Sequence, residues 1–342
     1  LREHGIRDAP AGEGSVRITL LRTSDAQARA VLARAGLAFT DSMRAEGYVI
    51  VPERNRVYVI GAEAAGVFYG AQTVKQLIVG RGTSARLHTA TVRDWPAMRY
   101  RGIQDDLSRG PVPTLEFQKA QIRSFAAHKL NVYSPYFEHT LEYESHPLAS
   151  PPLGGVTREQ VRDLVAYARG YHVDVIPQQE AFGHLHHVLK WEIYAPIAET
   201  PHGHVIAPDA PGSMRLIRDL FTEIAELFPS QFIHIGADET FELGRGRTAG
   251  RVAAEGIGPV YLKFVSAIAD SLRPLGKRFL FWGDVAGNHP ELVKTLPRDM
   301  IAVAWAYWLS RDYEGFVRPY RDAGMEFWVA PGVNNWRCKN ST

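Results

Sequence analysis

Ser213-Met-Arg-Leu-Ile-Arg-Asp-Leu-Phe-Thr-Glu-Ile-Ala-Glu-Leu-Phe-Pro-Ser-Gln-Phe-Ile-His-Ile-Gly-Ala-Asp-Glu-Thr240 reads as a helix that runs into a buried strand. Leu216, Ile217, Leu220, Phe221, Ile224 and Leu227 keep the spacing of a single helical face, and Ser213 is placed to cap it. Phe232–Gly236 is short and almost wholly apolar, the pattern of a strand covered on both faces. It ends on two adjacent acids, Asp238 and Glu239.

The same alternation recurs from Tyr100 onward. Strands are predicted at Tyr100–Leu107, Asn131–Tyr136, Val173–Pro177, Phe232–Gly236, Arg278–Trp282, Ile301–Trp305 and Glu326–Ala330, nearly all preceded by a helix-like stretch. Thr157-Arg-Glu-Gln160 has the form of a capping box, with Val161, Leu164, Val165 and Ala168 on one face and Gly170 as the stop. Repeated βα units give a parallel sheet, doubly wound or closed as a (β/α)8 barrel. No glycine-rich phosphate loop follows the first strand, which favours the TIM-type barrel. An eighth strand is not evident after Trp336, so the barrel is expected to be truncated at the C-terminus.

Residues 1–95 have a different texture and are expected to form a small α+β domain ahead of a catalytic barrel at 96–342. Val16–Leu20 reads as a strand, Asp25–Ala35 as a helix ending near Gly36, and Tyr48–Val51 with Val57–Ile60 as a hairpin. Ala62–Val79 is a helix with Ala65, Phe68, Tyr69, Thr73 and Leu77 on one face. Asp94-Trp95-Pro96 is the junction, because Pro96 bars a helix across it.

Composition narrows the function classes. The chain has 342 residues, 45% hydrophobic and 22% charged, with a net charge of +2 and no long basic tract, which argues against nucleic acid as a partner. Membrane association is not expected, since no apolar run has spanning length. The lone Cys338 excludes an internal disulfide framework and a multi-thiolate metal site. Leu185-His186-His187 hints at metal, but no His-Glu-x-x-His pattern supports it, so neither metal nor cofactor is expected. A secreted or periplasmic bacterial location is expected, with the cytoplasm as the alternative.

Alternation along a strand would point His234, Gly236 and Asp238 together into the barrel mouth, with Glu239 where strand gives way to loop. Like charges in a secluded site raise one carboxyl pKa and leave an acid beside an ionised neighbour. Glycosidases need that division of labour. His234-Ile-Gly-Ala-Asp-Glu239 resembles the His-x-Gly-Gly/Ala-Asp-Glu motif of the family 20 glycoside hydrolases, the β-N-acetylhexosaminidases. The resemblance extends through Glu46–Ile50, Ala65–Thr73, Arg101–Arg109, Lys129–Val132, Val175–Pro177 and Gly183-His184.

That resemblance implies a carbohydrate substrate, a terminal N-acetylhexosamine, and retaining, substrate-assisted catalysis through an oxazolinium ion. Glu239 would be the general acid, and Asp238 would orient the acetamido group. Arg109 would bind ring hydroxyls, His184 would belong to the polar network near the acid, and Trp282 and Trp305 would wall the acetamido methyl. Glu138, in Phe137-Glu-His139, stands near where many relatives carry paired aspartates and would help hold His184. Asp106, His234, Tyr307 and Trp336 are further candidates. Two alternatives remain: a catalytically weak carbohydrate-binding relative, and a conventional retaining glycosidase using Glu138 and Glu239.

Overall fold

The computed structural model describes residues 5–6, 15–307 and 313–332, within two compact units. The first comprises Leu1–Ile103, Glu116–Val132 and Tyr167–Val173, and the second Gln104–Leu115, Tyr133–Ala166 and Asp174–Thr342.

The first unit is built on a sheet in which β1 (Arg17–Arg22) leads through α1 (Ala26–Ala35) to the hairpin β2 (Tyr48–Glu53) and β3 (Arg56–Gly61). After α2 (Ala64–Gln76), the short pair β4 (Ile78–Val79) and β5 (Arg86–Leu87) precedes β6 (Val92–Asp94). The sheet order is β1-β3-β2-β6, with β1 parallel to β3 and the other pairs antiparallel. Period-two alternation sorts the hairpin side chains. Val49, Val51, Tyr58 and Ile60 cluster with Ala28, Val31 and Leu32 of α1, while Tyr48, Ile50, Val57 and Val59 cluster with Tyr69 and Val74 of α2. Gly36 ends α1 at φ 65°, with bonds from its own N–H to Ala33 and from Leu37 N–H to Leu32 that form a Schellman closure.

Helix α2 packs the predicted Ala65, Phe68 and Tyr69 against the hairpin and adds glycines to the contact. Gly66, Tyr69, Gly70 and Val74 are its buried residues, whereas Ala65, Phe68, Thr73 and Leu77 are only half-buried. The two glycines let backbone approach backbone, and a Cβ on Gly66 would meet Gly47 O at 2.2 Å. A search for apolar side chains cannot detect a contact made by their absence.

The barrel series runs β7 (Gly102–Asp106), α3 (Leu115–Ala127), β8 (Val132–Tyr136), α4 (Arg158–Arg169), β9 (Asp174–Val175), α5 (His186–Leu189), α6 (Ser213–Leu227) and β10 (Phe232–His234). It continues with α7 (Ala249–Glu255), α8 (Ile257–Leu272), β11 (Arg278–Trp282), α9 (Asp284–Gly287), α10 (Pro290–Val293), β12 (Ile301–Ala306), α11 (Glu314–Asp322) and β13 (Glu326–Pro331). All seven predicted strands are present, in sheets β7-β8-β9 and β10-β11-β12-β13 joined by parallel bridges at Gln178 to Tyr136 and His234. The class is a TIM-type (β/α)8 barrel preceded by a small α+β domain, and seven of the barrel strands lie among the described residues.

Curvature follows from one contact. Strands β10 and β13 are separated by two others, about 14 Å in a flat sheet at the usual spacing. Yet the Phe232 and Trp328 rings stand 5.3 Å apart on the face that register assigns to both. The sheet therefore curls around them, with Trp328 packed against Phe232.

Thr157 and Gln160 exchange the two reciprocal bonds of a capping box, 3.1 Å and 2.9 Å, as predicted. Ser213 does not cap α6. It is the first helical residue after Gly212, and its hydroxyl donates to Ala207 O instead. Among the described residues no single helix is long and apolar enough to cross a membrane.

Candidate active site

The candidate residues follow strand C-terminal ends. Asp106 closes β7, and its carboxylate accepts from Ser108 N–H at 2.8 Å and from Arg109 Nη1 at 3.0 Å. Arg109 reaches on to Glu138 Oε2 at 2.8 Å and lies 3.2 Å from His184 Nδ1. Arg109 thus pairs with Asp106 while standing beside the other candidate residues. Glu138 is buried, and Oε2 also accepts from the Tyr136 hydroxyl at 2.7 Å. Burial opposes its charge, but His139, Arg109, the Tyr136 hydroxyl and His184 outweigh it and hold the carboxyl down to about 2.

His184 ties the cluster together. Its Nε2 lies 3.3 Å from Asp238 Oδ2 and 3.4 Å from Glu239 Oε2, and these three side chains offer atoms within 4.8 Å of one another. In this arrangement Nε2 carries a proton toward the two carboxylates. Burial disfavours the imidazolium, while Asp238, Glu239 and Glu180 pull its pKa well upward.

The strand alternation expected for His234, Gly236 and Asp238 does not hold. Strand β10 ends at His234, and Gly236, Ala237 and Glu239 have φ of 67°, 74° and 47°. Glu138 and His184 are also left-handed, at 50° and 51°. Non-glycine residues held there store about 1–3 kcal/mol each and persist only where surroundings over-determine them. Here Ala237 N–H donates to Glu180 Oε2 at 3.0 Å, Tyr261 donates to Ala237 O at 2.7 Å, and Trp282 N–H donates to Gly236 O at 2.9 Å.

Glu239 also departs from expectation. Its pKa is lowered, chiefly by the hydrogen bond to His184, rather than raised by its neighbour. The raised carboxyls of this cluster are Glu180 and Asp284, which the sequence reading missed. Glu180 is fully buried and pushed well up by burial and then by Asp238. Asp284 is pushed up to about 7 by the same two causes, and its Oδ2 accepts from Glu239 N–H at 3.2 Å. Their only sequence signals are the polar run Gln178-Gln-Glu180 after a strand and the acid two positions beyond Trp282.

His234 is buried and pushed down to about 3 by burial alone, so it sits neutral, with its Nδ1 accepting from Gly236 N–H. Its ring lies 4.4 Å from Trp282. Trp282, paired with Val303, and Trp305, two residues further on, share the barrel's inner face. Tyr307 is exposed and packs 5.0 Å from Trp305. Trp336 lies outside the described residues.

A family model described as glycosyl hydrolase family 20, catalytic domain, matches residues 98–325, and one described as glycosyl hydrolase family 20, domain 2, matches residues 1–95. The chain belongs to glycosyl hydrolase family 20. It is 29% identical over 231 residues to the β-hexosaminidase of Porphyromonas gingivalis, covering 58% of this chain and 29% of that one. It is 24% identical over 303 residues to the β-hexosaminidase of Vibrio furnissii, covering 75% and 48%. The chain therefore spans less than half the length of these relatives. Among solved structures, the family 20 exo-β-N-acetylglucosaminidase of Vibrio harveyi in complex with N-acetylglucosamine superposes with a TM-score of 0.72. It is 23% identical and covers 93% of this chain and 57% of that one, which supports the fold.

Proposed function

We propose that this chain carries an exo-acting β-N-acetylhexosaminidase site that releases a terminal β-linked N-acetylglucosamine or N-acetylgalactosamine with retention. One observation carries the reading: Asp238 and Glu239 bring carboxyl oxygens within 4.8 Å of each other around a single imidazole nitrogen. Two acids gathered on one imidazole nitrogen stand on the same side of the site, whereas conventional retaining and inverting carboxyls flank the sugar. The attack must then come from elsewhere, and the 2-acetamido carbonyl of the substrate is tethered in reach of the anomeric carbon.

In this scheme Glu239, the more exposed acid, protonates the glycosidic oxygen and later deprotonates water. Asp238 aligns the acetamido group and stabilises the oxazolinium charge. Arg109, held by Asp106 and Glu138, exchanges its bonds to Ser108 and His184 for ring hydroxyls when the sugar binds, and Trp282 with Trp305 lines an apolar wall for the methyl group. A bound sugar that displaces water from Glu239 and draws its partner His184 aside raises its pKa toward the value a proton donor needs. Glu138 is a poor alternative nucleophile, because Arg109 and Tyr136 already occupy Oε2.

The lowered pKa of Glu239 also favours a second reading, a sugar binder with little turnover. An aryl N-acetyl-β-glucosaminide, its non-acetylated counterpart and a thiazoline mimic of the oxazolinium ion separate the readings. The proposal predicts aglycone release from the acetylated substrate alone and inhibition by the thiazoline. Equal cleavage of both substrates, or binding without release, would contradict it.

A further inference from the structure

His184 sets its imidazole against Asp238 and Glu239 from a left-handed backbone, at φ 51°. Non-glycine residues keep that conformation only where neighbours fix it. The neighbour is His204. Its Nδ1 accepts from His184 N–H at 3.3 Å, and its carbonyl accepts from Leu185 N–H at 2.8 Å. Further along, Ile206 N–H donates to Phe182 O at 3.0 Å. From the other side, a Cβ on Gly183 would meet Asp238 O at 2.3 Å, so the chain just ahead of His184 lies against the backbone of the acid pair.

His204 is held in turn by the loop that carries the acids. Glu242, three residues beyond Glu239, accepts through Oε2 from His204 N–H at 3.0 Å and from Val205 N–H at 3.3 Å. Gly203 makes room for that carboxylate, since a Cβ there would stand 2.2 Å from the same oxygen. The bond to His184 also fixes the tautomer. A backbone N–H can only donate, so Nδ1 is bare and Nε2 carries the proton, 4.0 Å from Glu242 Oε1. Burial, aided by His184 and His186, keeps the ring below its ordinary 6.5 against the pull of Glu242 and Glu239. A neutral ring is what the bond requires.

We propose that His204 is a positioning residue: by accepting the His184 N–H it fixes the left-handed turn that aims the His184 imidazole at Asp238 and Glu239. It acts through His184, and its part in the sugar chemistry rests on the reading of those two acids as the reacting pair. Protonation of His204 would break the bond and set a second cation beside His184.

Two variants separate the acceptor from the bulk of the ring. His204→Asn keeps an oxygen at the place of Nδ1, and His204→Leu fills the space without an acceptor. The first readout is NMR titration of the His184 imidazole, which needs no turnover and so decides the role of His204 whether or not the chain cleaves an N-acetylhexosaminide. His184 should titrate as in wild type in His204→Asn, and about one unit or more lower in His204→Leu. The second readout is the pH dependence of kcat/KM on an aryl N-acetyl-β-glucosaminide. His204→Leu should move the alkaline limb to higher pH, His204→Asn should not, and adding His204→Leu to His184→Asn should move it no further. An unchanged His184 titration or alkaline limb in His204→Leu, or equal shifts in both variants, would overturn the proposal. Should His204→Leu misfold, the wild-type ring decides: nitrogen NMR shifts at neutral pH that place the His204 proton on Nε2 support the bond, and a proton on Nδ1 refutes it. No turnover in wild type, with the His184 titrations as expected, would sink the hexosaminidase reading and leave the positioning role standing.

Discussion

Gly236 has no room for a side chain. A Cβ there would stand 2.0 Å from the Glu180 carboxylate, and φ is 67°. Gly236→Ala is therefore expected to destabilise the fold by about 2–4 kcal/mol in urea titration, the sum of strain and overpacking. A silent substitution would mean that Glu180 does not brace this loop. Asp284 makes a second residue-scale prediction. Its folded pKa of about 7 lies above the ordinary 3.8, so its neutral form supports folding below pH 3.8 and that contribution is lost as pH rises through 7. Asp284→Asn keeps an acceptor for Glu239 N–H, and its melting temperature relative to wild type should rise between pH 5 and pH 8. A pH-independent difference would refute the assignment. Glu239 carries the third. Replacing His184 with Asn removes the group that lowers its pKa, so the alkaline limb of kcat/KM should move to higher pH. At this scale the sequence identified Asp238, Glu239, Arg109, His184 and Glu138 as residues that the fold brings together. It misjudged which carboxyls are raised, because that depends on His184 arriving from another loop and on burial of Glu180 and Asp284.

Elements were legible where a side chain announces its role. The capping box at Thr157 and Gln160 and the glycine stop at Gly36 are local chemistry, and both appear as expected. Thr157→Ala should lower stability by about 1 kcal/mol through loss of the bond to Gln160 N–H. Gly36→Ala should lower it by a similar amount, about 1 kcal/mol, wholly through the left-handed backbone, since a Cβ there meets nothing within 4 Å. Elements were misread, or read only in part, where neighbours decide. Ser213 found a carbonyl in the preceding loop, α2 packs through glycines, and β10 stops short because Glu180, Tyr261 and Trp282 reshape the chain beyond it.

At the scale of the whole molecule, alternating apolar strands and amphipathic helices were enough to predict a parallel α/β sheet, because strands covered on both faces leave a strong compositional trace. The lack of a glycine-rich phosphate loop favoured the barrel. Curvature was not legible in the same way. It rests on long-range contacts such as Phe232 against Trp328, and an eighth strand is not among the described residues. What the fold accomplishes is to gather acids from the ends of β7 to β11 around His184 and Arg109, at the end of the barrel where strand C-termini converge. The account stands on the unequal duties of the two adjacent acids. Its most direct test is the hydrolysis rate of Asp238→Ala and Glu239→Gln against wild type on an aryl N-acetyl-β-glucosaminide. Both variants should fall by about a hundredfold or more, the order expected for losing a charge stabiliser or a proton donor. Near wild-type turnover in either would contradict the assignment.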